Sequence, residues 1–285
     1  MSVAAISPGG ARLPHSREAD WAVALFNRSV LKQAKYHRIL ELLQDPAGKT
    51  SLDIGADNGV ISYLLRQRGG SWYSADLDPG AVTSIRELVG ANVYQLDGSR
   101  TPFSDSTFDQ VVIIDFLEHI ADDRGFVREL ARIVKPGGGL VINVPHIKPY
   151  SLLNRFRHWI GLTDAWHGHL RPGYTMTSLS QLLEPYFVID RATTYSRAFS
   201  ELVDTALNGV YETLRRRKRV PTVSQKGTLV TRSDMNEHKK EFLLLSAMYP
   251  LLWIVARLDA LLPLQPGYKL IVGARRLEGS AAASR

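Results

Sequence analysis

From residue 50 to residue 145 short apolar runs alternate with amphipathic stretches, and this alternation constrains the fold more than any other feature of the chain. "TSLDIG", "SWYSADLD", "ANVYQLD", "FDQVVIIDFLEH" and "GLVINVPH" read as strands. Between them, "NGVISYLLRQRG" reads as a helix ending at Gly69, "PGAVTSIRELVG" as a helix with Pro79 near its start, and "DRGFVRELARIVKPGG" as an amphipathic helix stopped by Pro and Gly. The fourth strand is too uniformly apolar to have a wet face. Alternating strands and helices imply parallel βαβ units, with the sheet covered on both faces. Upstream, Ala19 to Leu43 has helical spacing, with Ile39, Leu40, Leu42 and Leu43 suited to burial, and "DPAGK" breaks it. Downstream, "TMTSLSQLLEPY" is a helix with Thr175 or Thr177 as its N-cap, followed by strands at "FVIDRATTY" and "YKLIVGARR".

About seventy residues separate those last two strands, too many for a plain loop. Residues 196–267 are therefore read as a helical insertion with its own role, and 18–195 with 268–276 as the main domain. Residues 1–17 and 277–285 read as flexible tails. No secretory leader is read at the start, and a cytoplasmic location is expected. The chain has no cysteine, which excludes disulfides, thiolate zinc sites and cysteine nucleophiles. Its net charge of +7 suits an anionic partner. The densest basic cluster, Arg215 to Arg219, lies in the insertion, as does "EFLLLSAMYPLLWIVARLDALLPL". The apolar part of that run is shorter than the roughly twenty residues of a bilayer span and is interrupted by Pro250. One reading is a helix in the membrane interface, with Trp253 and Tyr249 at the headgroups and the basic cluster on anionic lipid. The other is a core or dimer helix.

Open α/β sheets bind ligands at the carboxyl ends of their strands. After the first strand comes Gly55-Ala56-Asp57-Asn58-Gly59. After the second comes Asp76, where a carboxylate can accept both hydroxyls of a ribose. Asp97 follows the third and can accept an adenine amine; Asp115 follows the fourth. Each acid alone is as readily a solvated strand end. Acids at successive strand ends beside a glycine turn make coincidence a poor account.

"LDIGADNG", "ADLDPGAV", "QLDGSRTPFSDSTFDQVVIIDFLEHIAD" and "FVRELARIVKPGGGLVINVPH" resemble, in order, the motifs of class I S-adenosylmethionine-dependent methyltransferases, in the subgroup of ubiquinone- and menaquinone-type and sugar or lipid enzymes. The resemblance covers roughly residues 35–195 and the strand at 268–275. It implies an α/β, Rossmann-like, seven-stranded sheet whose last strand is antiparallel. It also implies roles by position. Asp53 and Gly55, Ala56, Asp57 and Gly59 would line the methionine part of S-adenosylmethionine. Asp76 would hold the ribose, Leu77 would pack on the adenine, and Asp97, beside Gly98, would accept its amine. Asp115 and Phe116 would floor the site near the sulfonium. Asp57 departs from the family's usual glycine. Aspartate tolerates left-handed geometry, and its carboxylate there can face the cofactor's ammonium group.

Methyl transfer from a sulfonium needs a base only for a protonated acceptor. His146 is the first candidate, His169 the second, and His119, in "LEH", the third; His167 shares the loop "WHGHLRPGY", where Arg171 and Tyr174 are candidates to position the acceptor. Only Asp115 and Asn143 are suitably placed for a metal, so none is expected. Nucleic acid is a poor partner, because "DFLEH" stands where amine methyltransferases of adenine have an "NPPY"-type motif and the basic cluster lacks interleaved aromatics. The expected acceptor is a small lipophilic or lipid-linked molecule, with peripheral contact to an anionic membrane. A soluble O- or N-methyltransferase of a sugar or metabolite, and a non-catalytic S-adenosylmethionine-binding protein, remain as alternatives. Oligomeric state is not legible.

Overall fold

The computed structural model describes residues 17–148, 151, 153, 169–217 and 239–278. Helices α1 (Arg17–Phe26) and α2 (Val30–Leu42) precede β1 (Thr50–Ile54). Then follow α3 (Val60–Arg66), β2 (Ser71–Asp76), α4 (Pro79–Val89), β3 (Val93–Gln95), β4 (Phe108–Ile114), a 3-10 turn (Leu117–His119), α5 (Asp123–Ile133) and β5 (Val134–Pro145). The chain ends in α6 (Met176–Leu183), β6 (Phe187–Tyr195), α7 (Ala198–Arg217), α8 (Lys239–Arg257) and β7 (Lys269–Arg276).

Local chemistry sets these boundaries. The single helix expected from Ala19 to Leu43 is two, because Ser29 leaves helical geometry and accepts the Lys32 N–H as N-cap of α2. Helix α3 stops at Arg66, three residues before the expected Gly69. Thr175, not Thr177, caps α6, in a capping box closed by Ser178. Asp78 caps α4, with Pro79 in its first turn.

The sheet has seven strands in the order β3-β2-β1-β4-β5-β7-β6. All neighbours are parallel except β7, which runs antiparallel to both β5 and β6. The central strands are buried on both faces, between one apolar cluster with Phe108, Phe126, Leu130 and Leu179 and another with Ile39, Leu65, Ile85 and Ile114. Each such side chain contributes about 1.5–3 kcal/mol of burial. These two layers fix the carboxyl ends of β1, β2, β4 and β5 along one rim.

The insertion starts and ends at paired residues, Tyr195 against Lys269, so the sheet closes at its base. Helix α8 is tied to α2 by the Gln33 amide, which donates to the Tyr249 hydroxyl at 3.0 Å. Leu251, Ile254, Leu258, Leu261 and Leu264 are exposed at helical spacing along α8 and the turn after it. Among the described residues no helix is long and apolar enough to cross a membrane. The expected tails lie almost entirely outside the described residues, as do Lys218 and Arg219 of the basic cluster. Arg215, Arg216 and Arg217 form the last turn of α7.

Candidate active site

The turn after β1 is shaped by backbone conformation. Gly55 has φ +83, and a Cβ there would stand 2.3 Å from the Ile114 carbonyl oxygen of β4, so only glycine fits. Asp57 has φ 57, the left-handed region that aspartate tolerates. Its carboxylate lies 3.6 Å from Lys32 Nζ, a half-exposed pair of small energetic weight.

Asp76 ends β2 and is 9% exposed. It accepts the Asp78 N–H at 3.1 Å, and among the described residues no cation pairs with it. Burial pushes its pKa up to about 6, and the nearby Asp57 charge adds to the rise. A buried carboxylate with spare acceptor capacity and no counter-ion is suited to two hydroxyl donors. Next in the chain, Leu77 packs at Gly98 together with Ile120: a Cβ at Gly98 would lie 3.5 Å from Leu77 Cδ2 and 3.1 Å from Ile120 Cδ1. Apolar side chains thus adjoin the strand end that carries Asp76. The set fits a ribose, a flat base and a cationic tail, which are the parts of S-adenosylmethionine.

Other expected site residues are engaged within the fold. Asp53 is one. It is fully buried and held by the Ser62 and Ser74 hydroxyls, with Arg66 at 3.5 Å, so its acceptors are taken within the protein. Asp97 sits beyond the short β3, exposed, with one oxygen accepting both the N–H and the hydroxyl of Ser99. Phe116 stands against the glycine turn, its Cβ 3.0 Å from where a Cβ at Gly55 would lie, and its ring is buried against Phe126 at 5.2 Å.

Asp115 (φ 44) is the hub of a charge cluster. Lys35 of α2 donates to one oxygen; Lys269 of β7 at 3.2 Å and Asn143 of β5 at 3.0 Å donate to the other. The Tyr195 hydroxyl donates to Asn143 at 2.6 Å. Burial alone would raise the Asp115 pKa, but Lys269 and Lys35 outweigh it and hold the carboxyl well below the usual range. Two ammonium groups around one carboxylate leave a net positive charge at the rim.

His146 follows β5. Its Nδ1 lies 2.8 Å from the Gly267 carbonyl, which only accepts, so Nδ1 carries the proton and Nε2 the lone pair. His119 and His169 come together, with ring centroids 5.0 Å apart at 77°. The fully buried Glu118 stands with them, its Oε1 4.0 Å from His169 Nε2. The sequence reading passed over Glu118, although "LEH" set it beside a candidate base. Arg171 and Tyr174 are bound within the fold. Arg171 binds Asp123 and donates to the Ile120 and Ala121 carbonyls, and the buried Tyr174 hydroxyl donates to Asp123 at 2.9 Å. His167 lies outside the described residues.

A cleft lined by Glu41, Gln44, Gln110, Asp190 and Arg275 opens at the opposite, amino-terminal ends of the parallel strands, away from all of these groups.

Residues 52–142 match the family model described as a methyltransferase domain. The chain is similar to the ubiquinone biosynthesis O-methyltransferase of Pseudomonas paraeruginosa (strain DSM 24068 / PA7), 32% identical over 113 residues, covering 38% of this chain and 49% of that one. It is 27% identical over 144 residues to the demethylmenaquinone methyltransferase of Tropheryma whipplei (strain Twist), covering 45% and 60%. The matched part thus spans about half the length of these curated relatives. In fold it is similar to phosphoethanolamine N-methyltransferase 2 of Haemonchus contortus, solved in complex with S-adenosyl-L-methionine, with a TM-score of 0.55, 15% identity, and coverage of 91% of this chain and 57% of that one.

Proposed function

We infer that this chain is a class I S-adenosylmethionine-dependent methyltransferase that transfers a methyl group to a small lipophilic acceptor, a reading supported by the methyltransferase-domain match over residues 52–142. The observation that carries the cofactor assignment is Asp76, a buried carboxylate at the end of β2 with no counter-ion among the described residues, followed by Leu77, which packs with Ile120 at Gly98. When bound, S-adenosylmethionine supplies a methyl group already activated on a sulfonium. The protein's task is then alignment and exclusion of water.

Its own residues divide that task. Asp76 accepts the ribose hydroxyls. Leu77, Gly98 and Ile120 wall the base. Asp57, beside Asp76, faces the ammonium end, which competes with Lys32 for the Asp57 carboxylate. His146, its tautomer fixed by Gly267, offers Nε2 to take a proton from a hydroxyl acceptor. Lys35 and Lys269 keep Asp115 ionised at the rim.

The lipophilic acceptor is supported by the exposed apolar row on α8 and by the similarity to ubiquinone- and menaquinone-pathway methyltransferases. Trp253 is 40% exposed on the same helix, with the Arg257 guanidinium 4.3 Å from its ring centre, a pairing suited to a headgroup layer. The decisive experiment is incubation with methyl-labelled cofactor and fractionated cell extract. Label in the lipid phase is expected. Label only in the aqueous phase favours the soluble-metabolite reading, and cofactor binding with no label anywhere favours a non-catalytic binder.

A further inference from the structure

We propose that Glu118, His119 and His169 hold a divalent metal cation. One ligand atom from each lies within 4.8 Å of the others. The carboxylate is fully buried and the His169 side chain is 11% exposed, so the cluster is not a chance meeting of surface groups.

The residues around it are built to keep it together. Leu170 N–H donates to the Glu118 carbonyl at 2.9 Å, which sets the backbone after His169 against the 3-10 turn. Arg171 donates to the Ile120 and Ala121 carbonyls at 2.7 and 3.0 Å and pairs with Asp123. Tyr174 reaches Asp123 and the Leu117 carbonyl. The loop from 169 to 174 is thus pinned to the segment 117–123 on both sides of the two imidazoles. Ligands that sit about 2.0–2.2 Å from a zinc-like ion lie roughly 3.3 Å from one another. The widest pair must therefore close by roughly 1–1.5 Å, which is within reach of side-chain rotation. Two imidazoles and one carboxylate select zinc, manganese, cobalt or iron over magnesium or calcium, and three protein ligands leave positions open. The residues that the sequence offers as metal ligands, Asp115 and Asn143, are different ones; Asp115 is occupied by its lysines.

His119 is one residue from Ile120, which packs at Gly98 and is assigned above to the base. An acceptor hydroxyl bound at an open position would lose its proton to water more easily. Its oxygen would then bond to the methyl carbon as the carbon–sulfonium bond breaks and leaves a neutral thioether. That consequence rests on the methyl-transfer reading; the metal site itself does not.

The test uses the full chain, free of affinity tag and stripped with chelator, titrated with Zn²⁺, Co²⁺ and Mn²⁺ by calorimetry and checked by elemental analysis. One equivalent of Zn²⁺ or Co²⁺ is expected, with affinity reduced at least tenfold in Glu118→Gln, His119→Gln and His169→Gln and retained in His37→Gln. No stoichiometric binding of any of the three ions, or equal binding by the three variants, overturns the proposal. Should those variants fail to fold, the Co²⁺-loaded wild-type chain decides: hyperfine-shifted protons from two imidazole rings are expected, and one ring or none overturns it. Methyl transfer without metal binding would sink the site and leave the methyltransferase reading standing; metal binding with no methyl transfer would do the reverse.

Discussion

Asp76→Asn should make the ligand-free protein more stable and a poorer binder of its cofactor. The wild-type carboxyl sits at about 6 in the fold against an ordinary 3.8, raised mainly by burial. That difference corresponds to about 3 kcal/mol. Below about pH 4 folded and unfolded chains both keep the proton, and the group costs nothing. As pH rises from about 4 to 6 the unfolded chain releases its proton first, so stability falls, and above 6 the whole penalty is present. Asparagine never ionises. Urea unfolding should therefore show the variant about 2–3 kcal/mol more stable than wild type at pH 8 and nearly equal at pH 4. Calorimetry at pH 8 should show its affinity for S-adenosylmethionine lower by about 1–3 kcal/mol, the scale of losing hydrogen bonds to a charged group. Wild-type affinity should itself fall as pH drops through about 6, as the acceptor becomes protonated. Equal stability at pH 8, or unchanged affinity, refutes the reasoning that burial without a counter-ion marks this carboxylate as a diol acceptor.

Asp115→Asn leaves Lys35 and Lys269 facing each other without their shared anion, and should cost about 3–5 kcal/mol in urea unfolding at pH 7. Because the folded carboxyl is held below the usual range, the wild-type advantage is present at neutral pH and lost as pH falls through the acid range; a constant difference down to pH 2 would refute the ion-cluster account. His146→Ala should lower turnover of a hydroxyl acceptor by about 10²–10⁴-fold with cofactor affinity intact, and an equal fall in that affinity would mark the histidine as structural. Asp57→Gly keeps the left-handed turn, and because the ammonium contact only replaces a half-exposed pair with Lys32, little change in cofactor affinity by calorimetry is expected; a large loss would show that the carboxylate is a principal holder of the ligand. Replacing Leu251 and Trp253 with serine should reduce binding to lipid vesicles, measured by sedimentation, because the lost term is apolar burial. If the intact protein ignores anionic vesicles at low salt, the face of α8 has another use.

What the sequence makes legible is what depends on neighbours in the chain. The strand–helix alternation, the Asp78 and Thr175 caps, the left-handed Asp57 and the place of Asp76 at a strand end all follow from local patterns. What it hides depends on which way a side chain points and on what arrives from far away. Asp53 and Asp76 both occupy the carboxyl-terminal part of a strand, but Ser62, Ser74 and Arg66 close over Asp53. The packing of the Phe116 ring on Phe126 is not visible in chain order. The meeting of Glu118 and His119 with His169 needs the 169–174 loop to fold back across the rim, and the two lysines on Asp115 come from opposite ends of the chain.

Strand β7 lies between β5 and β6 yet follows both in the chain, with the insertion in between. During synthesis, β5 must therefore wait with an open edge while α7, α8 and the residues joining them are made. An open edge of apolar residues is a template for wrong pairings. Only when β7 slots in are both neighbours paired, and the same step delivers Lys269 to Asp115 and the Gly267 carbonyl to His146. The order of manufacture thus ties completion of the sheet to completion of the rim, so a nascent chain stalled before residue 269 would lack both.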